Sequence, residues 1–258
     1  MRFLAIGDVV GRPGRNIIKN SLNKVKENYH IDVVIANCEN SAGGNGISKK
    51  VADELFSAGI NVMTMGNHVW ANKEIFAFIE NEHRIVRPAN YPEKTPGRGY
   101  NIYINNGNEY AVINLCGRVF MENFECPFKR IDEILERLKT KIILVDFHAE
   151  ATSEKKAFGY YLDGRVSCVF GTHTHVQTSD ERILPNGTAY ITDVGMTGPY
   201  ESILGVDKDL VIQKFITMLP VRFEVAKGMA QLNGVIIDID ENSGKATNIQ
   251  RLNFTLEE

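Results

Sequence analysis

Eight short and almost continuously apolar runs constrain the fold of this chain more than any other feature. Continuous apolar runs of this length are typical of strands that are buried on both faces. The runs are Phe3–Ile6, Val33–Ala36, Asn61–Met65, Ala111–Leu115, Ile142–Val145, Val166–Phe170, Ala189–Thr192 and Val235–Ile239. Apolar residues at helical spacing lie between several of them, in Arg15–Glu27, Ser48–Ala58, Asn72–Glu80, Phe128–Leu138 and Asp209–Met218. This alternation predicts an α/β fold whose sheets are covered by helices.

The second half of the chain is richer in predicted strands than in predicted helices. We therefore expect two sheets packed as a β-sandwich and flanked by helices, an αββα arrangement, rather than one open sheet. A length of 258 residues suits a single α/β unit and is enough to bury a core without disulfides. The sequence contains no internal repeat and no linker, so we expect one domain over residues 1–258.

Polar side chains follow five of the predicted strands, directly where each apolar run ends. In α/β sheets, ligands bind at the carboxyl ends of the strands, so these clusters are expected to meet at one edge. The clusters are Gly7-Asp8, Asn37-Cys38-Glu39-Asn40, Gly66-Asn67-His68, Asp146-Phe147-His148-Ala149-Glu150 and Gly171-Thr172-His173-Thr174-His175.

The chemistry of these clusters points to a metal site. Carboxylates, imidazoles and amide oxygens suit manganese, iron, zinc and cobalt, and the near absence of cysteine argues against a thiolate zinc site. His173 and His175 would share a face if their segment were extended. The donors outnumber the four that one ion needs, which favours two metals that share a carboxylate.

Each cluster taken alone has a simpler explanation. Asp8 could be a turn or helix-cap residue, Glu39-Asn40 could form a turn, and Asn67-His68 could begin a helix. Asp146 and Glu150 could orient His148, form ion pairs or be solvated. The joint occurrence of such residues after five strands favours a shared functional site.

Composition narrows the alternatives further. A net charge of −3 and a pI near 6.1 give no reason to expect duplex nucleic acid or an anionic membrane as a partner. No apolar stretch approaches the roughly 18 residues that span a bilayer, and no signal peptide is evident. Three of the four cysteines lie in or beside apolar runs, which predicts buried thiols in a reducing compartment, the cytoplasm. No Gly-x-Ser-x-Gly motif supports a serine hydrolase.

The ordered elements Gly7-Asp8, Gly66-Asn67-His68, His148 and Gly171-Thr-His-Thr-His175 resemble the calcineurin-like metallophosphoesterase superfamily. Three departures distinguish the chain from the usual pattern. Val10 stands where the first histidine is expected, Glu39-Asn40 replaces the bridging aspartate, and Val69-Trp70 replaces the acid after the Asn-His pair. Together with the Asp193–Tyr200 segment, these departures are similar to the YmdB-like bacterial branch.

That resemblance implies specific roles. Asp8, Glu39, Asn40 and His175 would hold one metal, and Glu39, Asn67, His148 and His173 would hold the other. Hydroxide between the metals would attack phosphorus, and His68 would be the general acid. The implied metals are iron or manganese, with zinc or cobalt as alternatives.

The implied activity is hydrolysis of small cyclic nucleotides, of the 2′,3′-cyclic and also the 3′,5′-cyclic type. Two alternatives stay open: a phosphomonoesterase or nuclease, and a regulatory protein that senses a nucleotide. Apolar loops such as Met196–Leu204 could support a homo-oligomer.

Overall fold

A computed structural model describes residues 1–256 and contains fourteen strands and five α-helices. The strands are β1 (Arg2–Ile6), β2 (Asp8–Val9), β3 (Val33–Asn37), β4 (Val62–Thr64), β5 (Ile85–Val86), β6 (Tyr100–Asn105), β7 (Asn108–Cys116), β8 (Ile142–His148), β9 (Cys168–Thr172), β10 (Arg182–Ile183), β11 (Ala189–Ile191), β12 (Met196–Pro199), β13 (Ala230–Ile239) and β14 (Ala246–Leu256). The α-helices are α1 (Gly11–Tyr29), α2 (Lys49–Ser57), α3 (Pro127–Leu135), α4 (Thr152–Tyr161) and α5 (Lys208–Thr217).

The strands form two mixed sheets. The first has the order β2-β12-β13-β1-β3-β4-β5, with β14 paired to β13, and the second has the order β10-β11-β9-β8-β7-β6. Parallel pairing joins β1 to β3 and β3 to β4 in the first sheet, and β7 to β8 and β8 to β9 in the second. The parallel strands of each sheet therefore end on the same side, and the predicted two-sheet α/β architecture is confirmed.

Three apolar layers hold the sheets and helices together. Alternate residues of β1 face opposite layers: Phe3 and Ala5 pack between the two sheets, whereas Leu4 and Ile6 pack against α1 and α2. A third cluster joins the outer face of the second sheet to α3 and α4 and includes Phe158. Burial on both faces explains why the strand sequences are continuously apolar.

Several elements differ from the sequence-based expectation. The predicted helix Asn72–Glu80 is only a 3₁₀ helix, Lys73–Ala77, whose first turn is capped by the Asn72 side chain. Strand β8 runs on to His148, beyond the predicted end at Val145, because Asp146 and His148 stay in register with β7 and β9. The elements β6, α4 and β14 were not predicted, since exposed polar residues interrupt their apolar patterns.

All four cysteines are free, and Cys38, Cys116 and Cys168 are buried as expected. Over residues 1–256, no helix has the length and apolar character needed to cross a membrane.

Candidate metal centre

The carboxyl ends of both sheets supply the predicted site residues. Asp8 follows β1, Glu39 and Asn40 follow β3, and Asn67 follows β4, all in the first sheet. The second sheet contributes His148 at the end of β8, with His173 and His175 just after β9. The polar clusters were expected at one edge, but they come from the carboxyl ends of strands in both sheets. The contacts described below link all eight predicted residues.

One group of donors surrounds the Nε2 atom of His148. The Glu39 Oε1 atom lies 3.1 Å from it, Asn67 Oδ1 lies 3.0 Å away, and His173 Nδ1 lies 3.1 Å away. Glu39 and His148 are almost completely buried. Two carbonyl-type oxygens and two imidazole nitrogens thus converge on one small volume, which is a donor set suited to a transition metal.

A second group lies beside the first. The Asp8 Oδ1 atom is 3.9 Å from both His148 Nδ1 and His175 Nε2, and Asn40 Nδ2 is 3.2 Å from His175 Nε2. A half-turn of the Asn40 amide would exchange its nitrogen and oxygen and bring Oδ1 next to His175 Nε2. The second group therefore offers a carboxylate, an amide and an imidazole.

Two features of the protein itself fit a bound cation. Among the residues described, Asp8 Oδ1 is a buried carboxylate oxygen without a hydrogen-bond partner. Burying such an atom costs free energy unless a cation or a hydrogen-bond donor lies next to it. Gly66 leaves the space next to Glu39 and His148 open, because a Cβ atom there would overlap Glu39 Oε2 and His148 Nε2.

The outer nitrogen of each clustered histidine has an acceptor that fixes the ring. His148 Nδ1 lies 2.8 Å from Thr172 Oγ1, His173 Nε2 lies 3.2 Å from Glu150 Oε2, and His175 Nδ1 lies 3.1 Å from the Leu204 carbonyl oxygen. Each outer nitrogen can therefore donate its proton outward, so that the inner nitrogen would bind metal once it carries no proton.

Electrostatics couple Glu39 and His148 strongly in the metal-free protein. Burial alone would raise the pKa of Glu39, but the charge and the hydrogen bond of His148 lower it to about 2. Burial alone would lower the pKa of His148, but Glu39 and Asp8 raise it to about 9. Burial and the charge of His148 lower the pKa of His173 to about 3, so its ring is neutral.

These pKa values predict pH-dependent metal binding. Below pH about 9 the metal-free His148 ring is protonated, so a metal ion must displace one proton from it. Apparent affinity is expected to rise by up to about tenfold per pH unit between pH 6 and 8. Calorimetric titration of chelator-treated protein with Mn²⁺ in buffers of different ionisation enthalpy measures the released protons. Affinity that does not change over this pH range would contradict the proton competition.

A methyl group at Gly66 tests the space that the ligands need. We expect Gly66→Ala to weaken metal binding by about 10–100-fold, the range found when the supports of metal ligands are disturbed. The reason is that the new Cβ atom must displace Glu39 or His148. The thermal midpoint of the chelated variant serves as the control for folding. Unchanged metal affinity would show that the two side chains meet elsewhere when metal is bound.

His68 lies at the margin of the cluster and has a different environment. Its side chain is 43% exposed, its Nδ1 atom is 3.0 Å from Asn40 Oδ1, and its distance to Glu39 Oε1 is 3.6 Å. Its backbone N–H donates to Glu39 Oε2 at 2.8 Å. Asn40 is thus the partner of the His68 ring that the sequence alone did not identify.

The segment that carries His173 and His175 is not extended, contrary to the expectation for the two-residue spacing. His173 has φ of 99° and His175 has φ of 65°, both in the left-handed region. The two rings reach different parts of the centre, since His173 contacts His148 and His175 contacts Asn40.

Asp146, which the sequence offered as a possible partner of His148, anchors a buried polar network beneath the centre, and Thr64 in that network was missed from the sequence. Asp146 accepts hydrogen bonds from Thr172 Oγ1 at 2.7 Å, from Asn37 Nδ2 at 3.1 Å, and from the Thr64 hydroxyl. Burial raises the pKa of Asp146 to about 6. The single Thr172 proton goes to Asp146, so His148 Nδ1 must be the donor to Thr172. Threonines inside apolar strands gave no separate signal in the sequence.

Comparison with known proteins agrees with this geometry. The family described as YmdB-like protein matches residues 4–252. A 2′,3′-cyclic-nucleotide 2′-phosphodiesterase from Bacillus subtilis (strain 168) is 54% identical over 254 residues, which cover 98% of this chain and 96% of the relative.

Solved structures give the same result. A crystal structure of a novel phosphatase from Mycoplasma pneumoniae has a TM-score of 0.95 and 40% identity, and the match covers 100% of this chain and 94% of that one. A putative 5′-nucleotidase from Staphylococcus aureus has a TM-score of 0.61 over 97% of this chain and 53% of its own. At 14% identity, the latter shows a shared fold alone. The chain therefore belongs to the YmdB-like protein family.

Proposed function

We propose that the protein is a two-metal phosphodiesterase that opens the cyclic phosphate of small 2′,3′-cyclic nucleotides. Its family and its Bacillus subtilis relative support the class, a hydrolase of phosphodiesters. The 2′,3′-cyclic-nucleotide 2′-phosphodiesterase activity of that relative supports the 2′,3′-cyclic substrate. The observation that carries the proposal is the convergence of Glu39, Asn67 and His173 on His148 Nε2, at 3.0–3.1 Å.

The two groups of donors would each hold a metal. Glu39, Asn67, His148 and His173 would hold one ion, and Asp8, Asn40 and His175, together with Glu39, would hold the other. Iron or manganese suits these nitrogen and oxygen donors, with zinc or cobalt as alternatives. Metals bound there would acidify a water molecule and offset negative charge on the phosphoryl oxygens.

His68 would supply the proton that the leaving oxygen needs. In hydrolysis, the water oxygen forms the new bond to phosphorus and the bond from phosphorus to the 2′ oxygen breaks. The 2′ oxygen takes a proton from His68, and solvent takes the water proton and restores that of His68. With the Asn40 amide turned so that its oxygen faces the metal, its NH2 group would donate to His68 Nδ1, and the ring proton would lie on the other nitrogen, available to the leaving group.

The position of the phosphate in the product tests this proposal. Cleavage at the 2′ oxygen of 2′,3′-cyclic AMP yields 3′-AMP, which chromatography separates from 2′-AMP. We expect 3′-AMP as the product, and we propose 3′,5′-cyclic AMP as a further substrate for the same assay. Formation of 2′-AMP would mean that the 3′ oxygen is the leaving group, which would contradict the proposed cleavage at the 2′ oxygen.

A homo-oligomer is also proposed, and helix α5 is a better candidate for the interface than Met196–Leu204, which was expected to be a loop but begins with strand β12. Met196–Pro199 is buried, whereas Phe215, Ile216 and Met218 are 80%, 77% and 89% exposed. Large apolar side chains that are exposed together are typical of interaction surfaces. Light scattering would detect assembly as a mass above the 28.9 kDa of one chain.

A further inference from the structure

His173 and His175 both hold a backbone conformation that residues other than glycine rarely adopt. Their φ angles are 99° and 65°. Strain of this kind persists only where the surroundings hold the main chain firmly. The question is therefore which residues hold the peptide units on either side of each histidine.

Asp193 holds the residue between the two histidines. Its Oδ2 atom accepts from the Thr174 backbone N–H at 3.0 Å and from the Thr174 hydroxyl at 2.7 Å. Its Oδ1 atom accepts from the Gly195 N–H at 2.8 Å. Asp193 is fully buried, and the hydrogen bonds of its carboxylate go to Thr174, Gly195 and Lys155 rather than to the clustered ring atoms. Its link to His173 and His175 therefore runs through Thr174, the residue between them.

Lys155 of helix α4 completes the arrangement from below. Its Nζ atom donates to Asp193 Oδ2 at 2.6 Å and to the Thr172 carbonyl oxygen at 2.8 Å. The side chains of Lys155 and Asp193 are 2% and 0% exposed. One buried ammonium group therefore neutralises the carboxylate that holds Thr174 and also fixes the peptide that precedes His173.

We infer that Lys155, Asp193 and Thr174 are positioning residues that hold His173 and His175 in the geometry for metal binding. The inference rests on the proposed function, because it assumes that these two histidines are ligands. None of the three side chains would touch the metal or the substrate. Loss of the Thr174 hydroxyl would remove one of the two hydrogen bonds that tie Thr174 to Asp193, and we expect the weaker restraint to shift both rings from their positions beside His148 and Asp8.

Metal binding by matched variants tests the inference. Thr174→Val keeps the shape of the side chain and removes the hydroxyl, Thr174→Ser keeps the hydroxyl, and Thr192→Val removes a buried hydroxyl that is bonded to Asp180 instead. Full-length, chelator-treated proteins are titrated with Co²⁺, and its visible absorption reports affinity and ligand geometry. We expect binding about 10–100-fold weaker with an altered spectrum in Thr174→Val, and wild-type behaviour in the other two.

The outcomes separate this inference from the proposed function. Failure of the wild-type protein to bind Co²⁺ would refute the metal centre itself. Wild-type affinity and spectrum in Thr174→Val, or equal weakening in Thr174→Ser, would refute the positioning role alone. If Thr174→Val does not fold without metal, Asp193→Asn gives the same measurement, because it keeps the shape and loses the charge that attracts Lys155. Unchanged Co²⁺ binding in that variant would also refute the role.

Discussion

Glu39→Gln is expected to lose most bound metal and to lower kcat/KM for 2′,3′-cyclic AMP by about 10³-fold or more. Metal activation contributes several kcal/mol of transition-state stabilisation, and each ~1.4 kcal/mol is a factor of ten in rate. Glutamine keeps an oxygen for the His68 N–H but removes the charge next to His148. Metal analysis and steady-state kinetics of the purified variant measure both effects.

Glu150→Gln is the matched control for this prediction. It removes a carboxylate 3.2 Å from His173 Nε2, on the outer side of the ring, where 48% of the Glu150 side chain is exposed. We expect a loss of about tenfold, typical of a partner that orients a ligand. A Glu39→Gln protein that keeps both its metal and its turnover would remove Glu39 from the centre.

His68→Ala is expected to keep its metal content and to lower kcat for 2′,3′-cyclic AMP by about 10²–10⁴-fold, the usual contribution of general acid catalysis. The reason is that the ribose 2′ oxygen is a poor leaving group unless it receives a proton. For bis-p-nitrophenyl phosphate the loss should be much smaller, since nitrophenolate departs without a proton. His83→Ala, which changes an exposed histidine, should match the wild type.

Two results would overturn the assignment of His68. One is a variant that loses metal but keeps its activity per bound metal, which would make His68 a ligand. The other is an equal loss on both substrates, which would mean that His68 does not protonate the leaving oxygen.

The strands that carry the site could be predicted from sequence because they are buried on both faces. Runs such as Phe3–Ile6 face helices on one side and the second sheet on the other, so every residue in them is apolar. The polar clusters that follow these runs predicted which residues would come together. The ligand roles of Asp8, Glu39, Asn40, Asn67, His148, His173 and His175 stay predictions until metal binding is measured, as does the single domain over residues 1–258.

Contacts between elements that are distant along the chain could not be predicted from the sequence. Lys155 belongs to α4, whose weak amphipathic pattern hid the helix, and its partner is Asp193, 38 residues away. Asp193 itself follows the predicted strand Ala189–Thr192 as the other polar clusters follow theirs, so that signal was present. The left-handed angles of His173 and His175 occur where these tertiary contacts hold the chain, and the two-residue spacing of the histidines did not predict them.

Hydrolysis of 2′,3′-cyclic AMP by chelated and metal-reconstituted protein tests the central claim most directly. The assay would include p-nitrophenyl phosphate as a monoester and would record bound metal in each sample. The account predicts no turnover after chelation, recovery with Mn²⁺ or Fe²⁺ at about two ions per chain, and little monoester hydrolysis. Turnover that survives removal of metal, or absence of diester hydrolysis by protein that holds about two ions, would contradict it and favour a phosphomonoesterase or a nucleotide sensor.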